Sequence, residues 1–333
     1  MKKALIASTA LVLTAGVAAA DVTISGYGRT GVIYYENTAA QDAAGLNETQ
    51  IRSRLRMNID ASSSSDQGVD FGARFRLQWD QNNGSRGDGG TTNAGKLYVT
   101  SQGLPVEVGN VDTAMDTNGL IYATELGAFD RSVGGNALGG FFAYESSKYG
   151  NVNRVGVRAL YEIDNLTVQA SYVDPDQTGE FEAFHKEEIS FSVDYVWNDV
   201  LELSAAASLN AAGYDDHDVY FVGARYAITE QARIGLNYID NGDVGSIPGI
   251  VGPNTVSDFG KTIALYGDYT LLDGLTNIEA YIANNDGDWT QKETDNAFGI
   301  GVNYDLGGAR LGASLQRDYQ ERVTADMGVR FDF

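Results

Sequence analysis

From Asp21 to Phe333 the chain alternates apolar and polar residues with a period of two, and its polar face is densely charged. A strand turns successive side chains to opposite faces, so the pattern describes sheet with one apolar side and one wet side. The segment opening near Thr49 sets Ile51, Leu55, Met57 and Ile59 against Arg52, Arg54, Arg56 and Asn58. The next sets Val69, Phe71, Ala73, Phe75, Leu77 and Trp79 against Asp70, Arg74, Arg76, Gln78 and Asp80. The charged face is unsuited to lipid but suited to lining an aqueous lumen, although a soluble two-layer sheet can alternate in the same way.

Sixteen such segments are predicted, beginning near Val22, Thr49, Gly68, Ala94, Leu104, Val152, Leu166, Lys186, Val200, Asp218, Ala232, Gly260, Leu275, Asn296, Ala309 and Arg322. Connections after even-numbered segments are tight, as at Asp164-Asn165, Asn198-Asp199, Asp273-Gly274 and Asp305 to Gly308, whereas those after odd-numbered segments are longer and acidic. Outer-membrane barrels have this asymmetry of short periplasmic turns and long external loops. The aromatic residues decide between membrane and soluble sheet. On the apolar face, one set of strands ends in Tyr161, Trp197, Tyr226, Tyr269, Tyr304 and Phe333, and the opposite set ends in Tyr34, Trp79, Tyr172 and Tyr238. Rings with an apolar body and a polar tip favour the two headgroup layers, whereas a soluble core has no reason to sort them by strand end. Phe221 and Leu160 fall on the lumen side of this assignment, against the general pattern.

Composition supports the same class. Forty glycines, nineteen tyrosines and four prolines, without a long helical pattern, point to an all-β chain. Residues 1–20 carry Lys2 and Lys3, an apolar run from Ala4 to Ala15, and Ala18-Ala19-Ala20, the order of a secretory signal peptide. The mature chain, residues 21–333, is then expected to start at Asp21, which takes the formal charge from −22 to −24 because two of 23 basic residues are lost and none of 45 acidic ones. Such acidity disfavours nucleic acid and suggests a mild cation preference, although solubility alone is an ordinary reason for it. With no cysteine, disulfides and thiolate chemistry are excluded.

The last segment turns Val323, Ala325, Met327, Val329, Phe331 and Phe333 to one face and ends on phenylalanine. This resembles the terminal signal read by the barrel assembly machinery in Gram-negative porins. With the opening strand Ile24-Ser25-Gly26-Tyr27-Gly28-Arg29-Thr30-Gly31-Val32, the chain resembles the general diffusion porins of alphaproteobacteria over its whole mature length. That resemblance implies a sixteen-stranded antiparallel transmembrane β-barrel in the outer membrane. It would form a homotrimer among lipid and lipopolysaccharide and pass small hydrophilic solutes and ions passively. It also implies that the third external loop folds into the lumen to make a narrow eyelet. The longest connection, about forty residues from Asp112 to Asn151, is the third, and Gly119, Gly127, Gly134, Gly135, Gly139 and Gly140 permit tight bends within it. It lacks the Pro-Glu-Phe-Gly-Gly-Asp segment of the best-known enterobacterial porins. Small outward residues, Ala205, Ala207, Ala309 and Ala313, offer flat patches for subunit packing.

Arg29, Arg52, Arg54, Arg56, Arg74 and Arg76 project to the lumen from three consecutive strands, and closure brings Arg330 beside the first. Like charges this close repel unless solvated or faced by carboxylates. Asp112, Asp116, Glu125 and Asp130 of the long loop are the expected partners across an eyelet, and pairing with Asp60, Asp70 and Asp80 to stiffen the wall is the structural alternative. The two histidines, His185 and His217, fall in external loops. Asp215, Asp216 and Asp218 beside His217 are candidates for holding calcium through oxygens, although an acidic solvated loop explains them more simply. Asp174-Pro175-Asp176 and Asp286-Gly287-Asp288 are discounted in the same way. No cofactor motif appears, and no enzyme is expected. A lipid-boundary hydrolase would need a serine beside a histidine, and neither histidine has one in sequence. A substrate-specific channel, which would need an aromatic slide or a larger barrel, is the other alternative to a general pore, and a soluble periplasmic β-protein is the third.

Overall fold

The computed structural model describes residues 21–81, 91–92, 95–124, 126–129, 154–178, 186–244, 257–289 and 292–333. The predicted segments are present as long strands, each starting within three residues of its expected position. They are β1 Asp21–Tyr35, β2 Thr49–Ser64, β3 Val69–Asp80, β4 in two pieces (Thr91–Thr92 and Lys96–Ser101), β5 Leu104–Gly109, β6 Val155–Ile163, β7 Leu166–Asp174 and β8 Glu188–Trp197. There follow β9 Leu201–Leu209, β10 Val219–Ala227, β11 Ala232–Asp240, β12 Lys261–Thr270, β13 Thr276–Asn285, β14 Asn296–Asp305, β15 Arg310–Arg317 and β16 Val323–Asp332. Each pairs antiparallel with its neighbour in sequence, and β16 pairs with β1 from Tyr27–Asp332 to Tyr35–Thr324. The sheet is therefore a closed sixteen-stranded barrel with no free edge. Closure gives every strand a backbone partner on both sides, the condition for crossing hydrocarbon without helices. Among the described residues no helix is long and apolar enough to cross a membrane.

The alternation settles which face is outside. Ile51, Phe71, Leu97, Val222, Ile263, Ile300 and Met327 are exposed on the outer surface. Their neighbours Arg52, Gly72, Tyr98, Gly223, Ala264, Gly301 and Gly328 therefore point inward. Of the girdle residues, Trp79, Tyr161, Tyr172, Trp197, Tyr226, Tyr238, Tyr269, Tyr304 and Phe333 are exposed on the outer face, and Tyr34 is half-buried.

Tight turns join the strands at one rim because their residues tolerate a left-handed backbone, as Asn198 (φ 49°), Asp199 (φ 58°) and Gly274 (φ 69°) do. In the β12–β13 turn the Asp273 carboxylate accepts the backbone N–H groups of Leu275 and Thr276, both at 2.9 Å, and the Thr276 hydroxyl at 2.6 Å. These donors hold its carboxyl below the usual carboxylate range.

Phe221 does face the lumen, for a reason that strand pattern alone cannot supply. It is buried in a cluster with Met115, Leu120, Ile121, Val219 and Ile239. Three of these belong to the long third connection, so the barrel's apolar core lies between that connection and the inner wall.

Candidate functional site

The described part of the third connection runs along the inside of the barrel, attached strand by strand. Ala114 N–H donates to Ser171 Oγ of β7 (2.8 Å), and Gly119 N–H to Asp194 Oδ1 of β8 (3.0 Å). Ser204 of β9 donates to Asn118 Oδ1 (2.7 Å), Asn237 Nδ2 of β11 to the Leu120 carbonyl (2.8 Å), and Arg225 Nη1 of β10 to the Ala123 carbonyl (3.4 Å). Leu126 is then buried with Ala264, Tyr266, Tyr281, Ala283 and Ala297 of β12 to β14. Ala128 N–H donates to Asp326 Oδ1 of β16 (2.7 Å), while Ala128 and Phe129 pack on Ile33 of β1. The segment is thus a belt lying against the wall from β7 round to β1.

Small inward residues make room for it. A Cβ on Gly312 would come within 2.6 Å of the Gly127 backbone, and Gly127 itself sits at φ 73°. A larger side chain at Gly312 would push the belt off its seat, and one at Gly127 would also strain the backbone.

On the stretch of wall left outside the belt stand the arginines. Arg54 Nε meets Asp80 Oδ1 at 2.5 Å, and its Nη1 donates to Tyr27 Oη at 3.2 Å. Arg74 pairs with Asp60 (2.7 Å), Arg56 donates to Gln78 (2.5 Å), Arg76 to Asn58 (2.8 Å), and Arg52 Nη1 to Tyr35 Oη (2.6 Å). The Tyr27 ring lies beside three more guanidiniums, with Arg330 at 4.4 Å, Arg56 at 5.3 Å and Arg29 at 5.9 Å from its centroid, and Arg29 also lies 5.3 Å from the Phe129 ring. Aromatic faces attract cations without neutralising them. Asp60 and Asp80 therefore pair with wall arginines as the structural alternative requires, whereas Asp70 accepts the Ser64 hydroxyl (2.5 Å).

Register orders these charges further. Arg54 is directly opposite Arg29, Arg29 opposite Arg330, and Arg330 opposite Arg310. Directly opposed residues in an antiparallel pair share a face, so four strands contribute one row of inward arginines. Carboxylates bound the row, with Asp80 opposite Arg54 and Asp305 opposite Arg310.

Where the belt leaves β5, charges of both signs interleave. Glu107 accepts from Lys96 (2.9 Å) and from Arg158 (2.8 Å), and Asp112 stands 3.6 Å from Lys96. Arg154 donates to Asn110 (2.8 Å) and to the Val111 carbonyl (3.0 Å), fixing the belt's root. Asp116 accepts the Tyr122 hydroxyl at 2.9 Å. Burial and the neighbouring charge of Asp112 push its carboxyl up to about 7, against the opposing pull of Tyr122, Arg158 and Arg154.

A model of the Gram-negative porins matches residues 7–326. The chain belongs to that family. It is 37% identical over 318 residues to the porin of Fuscovulum blasticum, a match covering 94% of this chain and 100% of that one. Solved structures of engineered variants of the Rhodopseudomonas blastica porin superpose with TM-scores of 0.78 and 0.76 at 36% and 35% identity, each covering 94% of this chain and 100% of the other. The porin is accordingly an outer-membrane diffusion channel that crosses the membrane as a multi-pass β-barrel, and its family is not enzymatic.

Of the loop carboxylates expected to face the arginines, Asp112 stands 3.6 Å from Lys96 of β4, and Asp116 accepts the Tyr122 hydroxyl within the belt while feeling the charges of Arg158 and Arg154. Glu125 and Asp130 lie outside the described residues of the porin, as do His185 and residues 1–20. Among the described residues no three His, Asp or Glu side chains gather as a metal site. Asp218 caps the Asn210 N–H (3.1 Å), and Asp215 lies 3.9 Å from Lys186. His217 is fully buried with its ring nitrogens on the carbonyls of Ala211 (3.0 Å) and Asn241 (2.8 Å). Tyr27, Tyr35, Lys96, Glu107, Arg154, Arg158 and Arg310 join the site beyond the residues expected. Of the strand members, all carry the inward parity, which was their one available signal.

Proposed function

We propose that solutes pass between the belt and the arginine wall, and that this passage sets the porin's selectivity. The supporting observation is the belt's attachment along β7 to β16, which leaves Arg29, Arg52, Arg54 and Arg56 on the uncovered side. A sixteen-stranded barrel without an inward segment is wide, and charged linings at a narrowed section discriminate among ions. Neutralising Arg52, Arg54 and Arg56 together shifts the reversal potential in a salt gradient toward cations, most strongly at low salt, because screening shortens the reach of fixed charges to about 10 Å at 0.1 M. A reversal potential indifferent to that triple change defeats the reading and favours arginines that only stiffen the wall.

The mature porin is read as a homotrimer that begins at Asp21 after removal of residues 1–20. The alanine pairs expected to serve the contact stand on β9 and at β15, six strands apart. The wall of β1 and β2 is the better place, because the outer hydroxyls of Thr30 and Ser53 meet there at 2.8 Å and lipid tails offer them no further partner. The turns of the opposite side instead present Ile228, Leu272 and Leu306. Ser53→Arg should therefore convert the native complex to a monomer-sized species on native electrophoresis. Phe333, exposed at the rim of the tight turns, serves as the signal for the barrel assembly machinery, while the lipopolysaccharide leaflet surrounds the opposite rim.

A further inference from the structure

We infer that a recess between Phe129 and the arginine wall binds a small dianion, a dicarboxylate or hydrogen phosphate, and that the arginine row is its track to the opposite rim. The inference rests on the selectivity reading above and names the solute class that it favours.

The recess encloses about 200 Å³ and is lined by Arg29, Arg52, Arg54, Asp80, Gln81 and Phe129, with the edge of Ser53. That is the share of about six or seven liquid waters, enough for a solute the size of succinate. Arg54 is already tied to Asp80. Arg52 is different, since its partner among the described residues is Tyr35, which accepts one N–H and places its ring 6.0 Å from the guanidinium. A phenol orients the planar fork and leaves its charge intact. Such a fork matches two oxygens of a carboxylate or phosphate. Phe129 closes one side of the recess, and excluding water there strengthens the attraction.

From this seat the row Arg54, Arg29, Arg330, Arg310 steps across four strands at about 5 Å per step. Its last member opens β15 immediately after the tight turn, and so lies at the rim where the chain of β16 ends. Arg310 there lines a wider recess of about 520 Å³ together with Glu279, Asp305 and Asp332. Three carboxylates at the far end oppose retention of an anion. The geometry is that of capture at one end and release at the other, and conduction needs binding weak enough to leave.

The test is succinate added to one side of wild-type porin in planar bilayers at about 0.1 M KCl, where charges are screened beyond about 10 Å. The pH is set so that succinate is doubly ionised, with hydrogen phosphate and neutral succinamide as parallel additions. Conductance should fall to a plateau as succinate rises, with no such plateau for succinamide. Phosphate competing for the plateau assigns the site to dianions in general, and phosphate failing to compete assigns it to dicarboxylates. Arg52→Gln should raise the half-blocking concentration about tenfold, the loss of one charge-assisted fork, with Arg52→Lys in between. Arg310→Gln should lengthen each block. A decline without saturation, or one equalled by succinamide, overturns the proposal on the unmodified protein, so misfolding of a variant cannot be mistaken for it. Saturation that persists while the triple arginine change leaves selectivity untouched would remove the belt reading and keep the site.

Discussion

The inner surface of the barrel is built to two different specifications. From β7 to β14 the seats of the belt are mostly small or neutral, among them Ser171, Ser204, Ala264, Ala283, Ala297 and Gly301, with Gly312 of β15 continuing them, and the charged Asp194 and Arg225 serve as anchors for the belt that covers this side. From β1 to β3 it carries long cations held by phenols, amides and a few carboxylates, and among the described residues the belt reaches it at Ala128 and Phe129. The covered side gains from close packing and matched hydrogen bonds, as any protein core does. The bare side keeps like charges together because Tyr27 and Tyr35 order the guanidiniums without cancelling them. On the proposed reading stability and selectivity fall to opposite walls, so changes on each should have separable effects.

The largest expected effect is on the covered side. Asp326→Ala leaves the buried N–H of Ala128 without its acceptor and should cost about 1–3 kcal/mol. Heat-induced unfolding followed in detergent should show a lower midpoint, and single channels should become noisier as the belt's far end loosens. A quiet channel with an unchanged midpoint would mean that Asp326 does not anchor the belt.

An intermediate effect is expected from Asp116, which stands on the belt between the two regimes. Its carboxyl, pushed up to about 7, is ionised above that pH and neutral below it. Selectivity should therefore shift toward anions as pH falls through about 7, and Asp116→Asn should flatten that dependence. Because folding raises this pKa, the folded state binds the proton more tightly, so the contribution to stability falls as pH rises from the ordinary carboxylate range to about 7. Tyr122→Phe removes a hydrogen bond that favours the ionised form and should move the transition to higher pH. Reversal potentials measured across this range in the three proteins would expose any contradiction.

On the bare side the smallest effect belongs to Tyr35→Phe. It keeps the ring under Arg52 and removes one hydroxyl acceptor, worth about 0.5–1.5 kcal/mol. The unfolding midpoint should hardly move, and selectivity should shift by much less than in Arg52→Gln. If the phenylalanine variant matches the charge deletion, the hydroxyl rather than the ring orders the guanidinium.

Much of this architecture could be read from the chain. The strands, the closing of the last upon the first, the girdles and the inward parity of six arginines follow from a period of two, because backbone geometry enforces it locally. The belt's course could not be read in that way. Its seats are single glycines, serines and alanines scattered over β7 to β15, and they form a continuous surface only once register is fixed. By strand parity alone Phe221 is out of place in a wet lumen, and it fits there because Met115 and Leu120 pack upon it. Arg310 and Tyr27 are likewise unremarkable in sequence, since, apart from Arg29 beside Tyr27, the arginines each one meets lie far along the chain. The loop acids could be placed in the right connection, but not beside Lys96 and Arg158, because that depends on how the belt turns as it leaves β5.

The seam between the chain's two ends has a consequence for synthesis. Gly26 and Phe333 exchange backbone hydrogen bonds, Gly26 N–H to the Phe333 carbonyl at 2.7 Å and Phe333 N–H to the Gly26 carbonyl at 2.9 Å. The pairing that shuts the ring is thus the one between the strands farthest apart along the chain. Until β16 is laid down the sheet is a ribbon with two open edges, each a template for pairing with another chain. Shutting the ring is therefore the step that removes the molecule from the risk of edge-to-edge aggregation.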